Sequence, residues 1–143
     1  MVSATIHWEP ATFAIFLRHL RSLPSNISNS IRFVVAWART RATIARIESI
    51  NIPFAARLLL RLSEGRVPVR TGRLLASGSA SGSSVSYTAH YAVYVHENVG
   101  AYFSNGEAKF LEGAVYDNMG LLRNTVSPVY GDTADFDIVV ELG

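Results

Sequence analysis

The chain contains no cysteine. That absence excludes a disulfide framework and every thiolate metal site, and it suits a cytoplasmic product. Lysine is nearly absent as well. Lys109 stands alone with no glycine-rich loop before it, so the phosphate-cradling loop of nucleotide hydrolases is missing. Long apolar runs are also lacking: residues 33–38 (FVVAWA) fall far short of the roughly 20 residues of a membrane span. No basic segment precedes an apolar one at the N-terminus, so neither a signal peptide nor a membrane helix is expected. The sequon at residues 26–28 is then a chance match. Charge is sparse too, at 17% of residues against the usual quarter, and part of the surface is expected to lie under a partner.

What is present is enough apolar sequence, 49% of 143 residues, for one domain with its own core. The net charge of +2 conceals a division. Residues 1–73 hold eleven arginines against Glu9, Glu48 and Glu64, a local +8, while residues 74–143 hold Lys109 and Arg123 against eight acids, a local −6. The two halves can pair within one fold or between copies, or the basic half can face an anion such as nucleic acid. The domain reads as a helical, arginine-rich part (1–65) and a strand-rich part with one helix (66–143).

Along the first part, Pro10 suits a first helical turn, and Phe13, Phe16, Leu17 and Leu20 recur on one helix face. Residues 23–26 (LPSN) end that helix. A second is expected over 28–49, with Ile31, Val34, Val35, Ala38, Ala42 and Ala45 as its apolar stripe. Arg32, Arg39 and Arg46 sit seven apart and form one basic stripe, which faces solvent, DNA or the acids of a neighbour. Pro53 breaks or kinks this helix, and a further helical piece carries Leu58, Leu59, Leu60 and Leu62 as core until Gly65 stops it.

The second part opens on residues 68–78 (PVRTGRLLASG). Pro68 and Gly72 shape a turn, Thr71 ties it locally, and Arg73 is placed to reach a carboxylate. Residues 74–81 and 84–89 read as strands of a tight hairpin around Gly82 and Ser83. Residues 91–97 (YAVYVHE) lean to a short helix, and 98–106 form a loop whose Tyr102 and Phe103 suit contact with another subunit. A helix over 107–122 follows, then a loop over 128–135 and an alternating strand over 136–142. The expected fold is α+β, with N-terminal helices packed on a small, mainly antiparallel sheet and a further helix between the hairpin and the C-terminal strand.

Catalytic and metal signatures are missing. His7, His19, His90 and His96 make no zinc spacing, and Ala80 stands where a nucleophile elbow needs serine. Adjacent side chains usually point apart, which argues against His96 and Glu97 acting as a base with its carboxylate. The expectation is a non-enzyme with no cofactor. The arginines are not interleaved with aromatics, so nucleic acid would be met only through nonspecific backbone attraction.

Three segments in order, PVRTGRL at 68–74, YAVYVHE at 91–97 and AKFLEGA at 108–114, resemble the tailed-bacteriophage head-tail joining proteins, labelled neck, tail-completion, tail-terminator or minor capsid proteins. The motif positions are Pro68, Thr71, Gly72, Arg73 and Leu74, then Tyr91, Ala92, Val95 and Glu97, then Phe110, Leu111 and Ala114. The family often has Gly-Thr shortly after the glutamate, whereas here Asn98, Val99, Gly100 and Ala101 follow it. The resemblance implies a virion protein at the head-tail junction, made in the host cytoplasm. It also implies a ring of six or twelve copies that meets portal, adaptor or tail-tube proteins and lets the genome pass. The other reading is a nonspecific, basic nucleic-acid-binding module.

Overall fold

A computed structural model describes residues 1–128 and 133–143. The first strand, β1 (Val2–Pro10), turns Val2, Ala4 and Ile6 inward and leaves Ser3, Thr5 and His7 on the other face, the period of two that a half-buried strand needs. Pro10 thus closes a strand instead of opening a helix. The chain continues as α1 (Thr12–Ser22), α2 (Asn29–Arg46), a π turn (Ile47–Asn51) and α3 (Ile52–Glu64). Ser28 caps α2 by accepting the Ile31 amide.

Pro53 does not break this helix. It lacks an N–H and crowds the preceding turn, and the wider π turn just before it absorbs the missing bond so that helical backbone runs on. The turn places the two halves of the long helix in different surroundings: α3 packs on the sheet, whereas α2 packs on α1.

A single helical turn, α4 (Arg73–Ala76), replaces most of the first expected strand, so the hairpin is only β2 (Gly78–Ser81) and β3 (Ser84–Tyr87). Gly82 at its tip has φ +56°, as a tight two-residue turn requires. Residues 91–97 do contain a short helix, α5 (Ala92–Glu97). The helix expected over 107–122 is two, α6 (Phe110–Asp117) and α7 (Met119–Val126), separated at Asn118. The last strand is β4 (Thr133–Leu142). Of the loop expected over 128–135, positions 129–132 lie outside the described residues, and β4 already includes 133–135.

The sheet has the order β2-β3-β1-β4 and is antiparallel throughout, so the fold is α+β, with helices gathered on one face of an antiparallel sheet. Val2, Ala4, Ile6, Val85, Tyr87, Phe136 and Ile138 meet Ala55, Ala56 and Leu59 of α3, Phe110, Leu111, Ala114 and Val115 of α6, and Leu122 of α7 in one core. The leucines of α3 behave as expected, with Leu59 fully buried and Leu58, Leu60 and Leu62 packed against it.

The α1–α2 hairpin is an arm with a small core of its own. Ile15, Phe16, Ala36 and Thr40 are buried there, and the Phe16 ring stacks on Trp37 at 4.2 Å. The expected apolar face of α1 holds at Phe16, Leu17 and Leu20 but not at Phe13, and that of α2 is turned outward. Phe13 is 65% exposed and Val34 69% exposed, because α1 and α2 meet through Ile15, Ala36 and Thr40.

Tyr87 joins three layers. Its ring meets Phe110 edge-on, its hydroxyl hydrogen-bonds Ser63 Oγ at 2.6 Å, and a methyl on Gly78 would strike the ring at 2.7 Å. Burial pushes its phenol from about 10 up to about 12, against the lowering effect of the Ser63 bond. The folded state therefore holds this proton more tightly, and the contribution to stability is present below pH 10 and lost as pH rises from about 10 through about 12. Tyr87→Phe is expected to cost about 0.5–1.5 kcal/mol at neutral pH. It should also flatten the alkaline fall in stability, measured by urea unfolding at pH 8 to 11.

Candidate assembly surface

The turn after α3 is held from the loop opposite. The Asn105 side chain accepts the Val69 amide at 2.5 Å and donates to the Val69 carbonyl at 2.9 Å, so one amide satisfies both backbone groups of that residue. Gly106 has φ +68°, and a Cβ there would lie 2.4 Å from the Pro68 nitrogen. Only glycine permits this approach. Within the turn, Gly72 has φ +83°, Thr71 Oγ1 weakly accepts the Arg73 amide at 3.4 Å, and Leu74 is buried.

Arg73 is exposed and reaches no carboxylate among the described residues. That part falls to Arg66, which bridges Glu107 at 3.2 Å and Asp117 at 2.5 Å and ties the end of α3 to the loop and to α6. Neither Arg66 nor Asn105 stood out in the sequence. Their partners are about 40 residues or more away, so no local pattern marks them.

The second and third motif segments lock to each other. Ala92 is buried, Tyr91 and Val95 are half-buried, and Phe110, Leu111 and Ala114 are fully buried. Lys109, with φ +58°, turns its ammonium onto both Glu97 and Glu112. His96 and Glu97 do not point apart: His96 Nδ1 donates to Glu97 Oε1 at 2.8 Å, because Asn98 leaves the helical region and α5 ends there. His96 Nε2 accepts the Glu112 amide at 3.2 Å, so the buried imidazole caps α6.

His96, Glu97 and Glu112 could offer a metal three donors within 4.8 Å of one another. The donors are already engaged, by the Lys109 ammonium between the carboxylates and by the Glu112 amide on the imidazole. The same occupancy leaves His96 no free nitrogen for a substrate. The Lys109 hydrogen bond first, and the His96 bond second, hold Glu97 below the usual carboxylate range. Glu97 and Glu112 hold the Lys109 ammonium above its ordinary value.

Between these segments opens a groove of about 940 Å³, lined by residues 68–74, by Tyr91, Tyr94 and Val95, and by residues 102–105. Tyr102 is 92% exposed at its rim, and Phe103 is half-buried in it. The first two motif segments and the aromatic loop thus share one surface, with the third packed beneath.

The arginine stripe divides. Arg32 is half-buried and donates from Nη2 to the Leu20 carbonyl at 3.2 Å, which closes the arm at the end of α1. Arg39 and Arg46 are exposed and pair with no acid among the described residues. Compared with known proteins, the chain matches no family model, no curated protein and no solved structure.

Gly106→Ala is expected to destabilise the protein by about 1–3 kcal/mol, since the methyl meets backbone that cannot swing aside. Gly100→Ala, with open space around it, should be close to neutral, and paired thermal melts compare the two. Because the folded state depresses Glu97, its contribution is present at neutral pH and lost as pH falls below the usual carboxylate range. Glu97→Gln should lower the melting temperature at pH 7, and the difference from wild type should shrink as pH falls through the acid range, followed by circular dichroism.

Proposed function

We propose that this chain is a virion structural protein of a tailed-phage head-tail connector, in the neck or at the tail terminator. Copies form a ring of six or twelve that joins head to tail and lets DNA pass. The observation that carries the reading is the convergence of the ordered motif segments on one folded unit. The 68–74 turn and α5 line an open aromatic groove, and Phe110, Leu111 and Ala114 anchor the unit in the core. The exposed arm supports it. Phe13, Phe33 and Trp37 gather around Phe16 yet stay exposed, and Ile31 and Val34 are exposed on another side of α2, as expected of a subunit that assembles.

The test is to purify the chain and weigh it by mass photometry and sedimentation, then locate it in virions with a labelled antibody. Rings in solution, or label confined to the head-tail junction, are the expected results. A chain that is monomeric at high concentration and absent from virions would sink the reading.

The second reading, a nonspecific nucleic-acid-binding module, draws on Arg39, Arg41, Arg46, Arg57 and Arg61, exposed along one long helix and without an acidic partner among the described residues. It expects DNA affinity that falls steeply between 50 and 200 mM salt, by roughly tenfold or more for several phosphate contacts. Arg39→Glu with Arg46→Glu should abolish that affinity in a fluorescence titration. Unchanged binding would discard this reading.

A further inference from the structure

We propose that the outer face of the sheet seats α2 from a second copy of this chain. The inference rests on the reading that copies assemble, and adds which two surfaces meet.

The charge division is the first observation. Only Arg66 carries the basic half to acids of the other half within the described part of one copy. Arg39, Arg41 and Arg46 on α2 are exposed without an acidic partner there, and Asp135, Asp137 and Glu141 on β4 are exposed without a basic one. Two complementary sets of charge therefore remain unused within the described part of a copy. Such sets steer and orient a contact between copies more than they strengthen it.

Shape is the second. Helices cover one face of the sheet, and the other presents Ser3, Thr5, Ser84 and Ser86 in its centre, a floor of small side chains next to Val139 of β4. Thr5 and Ser84 hydroxyls hydrogen-bond each other at 3.1 Å, which satisfies part of the polar surface the contact would cover. On the helix, Ile31, Val34, Ala38, Ala42 and Ala45 fall on one face at helical spacing, and all are exposed. Alanines allow the helix axis to come close to such a floor. The stripe is about 21 Å long at 1.5 Å per residue, and the β1–β4 ladder it would lie along is about 30 Å.

Arg39 and Arg46 flank the stripe on one side and Arg41 on the other, while the carboxylates of β4 border the serine floor at the sheet's edge, so long arginine side chains on either flank have acids to reach. The contact joins two different patches, so it runs head to tail and closes into a ring when its rotation divides a full turn.

Charge exchange tests it. One variant carries Arg39→Glu, Arg41→Glu and Arg46→Glu, and the other Asp135→Lys, Asp137→Lys and Glu141→Lys. Each alone should weaken assembly by at least about tenfold, the effect of roughly 0.5 kcal/mol at each of three pairs. An equimolar mixture should restore it, because each variant's helix then meets the other's sheet. A melt of each variant checks folding.

As the chain has no cysteine, a second probe is the double variant Ala42→Cys and Ser86→Cys with a short bismaleimide. A ladder of linked copies is expected. Variants that assemble like wild type, a mixture that fails to recover, or a cysteine pair that never links copies would overturn this contact. The connector reading is judged separately, by the label in virions: rings at the junction with charge variants unaffected would leave it standing and discard only this interface.

Discussion

The structure depends on β1 being hydrogen-bonded along both edges. Its partners are β3 and β4, separated from it in sequence by nearly the length of the chain in the second case. Without Val2–Pro10 the hairpin and the C-terminal strand have nothing to join them, and the sheet cannot form. The same strand supplies Val2, Ala4 and Ile6 to the floor on which α3 and α6 rest. The sheet therefore closes only when β4 pairs with β1 across most of the chain, a high-contact-order arrangement that slows folding.

A one-sided sheet has a further consequence. Burying the apolar face under helices leaves the opposite face to small hydroxyl side chains and carboxylates, and it divides the long helix by function. The part after the π turn is committed to the core, and the part before it projects as an arm. The arm has too few buried side chains to cover its own apolar surface, so Phe13, Ile31 and Val34 stay in water unless another surface meets them.

The motif segments that look like local punctuation act together. Asn105 and Gly106 press the aromatic loop onto the 68–74 turn, Arg66 ties that loop to α6, and His96 caps α6 from α5. The three segments form one rigid block with its groove outward. None of the bonds that join them is between neighbours in sequence, except the His96–Glu97 pair.

Much of the fold was legible in local pattern. Leu58 to Leu62 announced a buried helix, Gly82 a hairpin, and the alternation at 136–142 a half-buried strand, because each follows from backbone geometry and hydrophobic period. The motif residues Leu74, Phe110, Leu111 and Ala114 lie in the core. The apolar stripe of α2 had the right period and the wrong face: periodicity says that a helix has an apolar side, not which neighbour will cover it. Arg32 bonds the Leu20 carbonyl instead of facing outward, and the carboxylate contact expected of Arg73 belongs to Arg66, for a similar reason, since a guanidinium's partner is set by what the fold brings within reach. The sequence by itself determined the helices of the first part, the hairpin, the last strand and the division of charge. Tertiary structure decided the central place of β1, the partner of each ionised group and which surfaces were left open, because those depend on contacts between residues far apart in the chain.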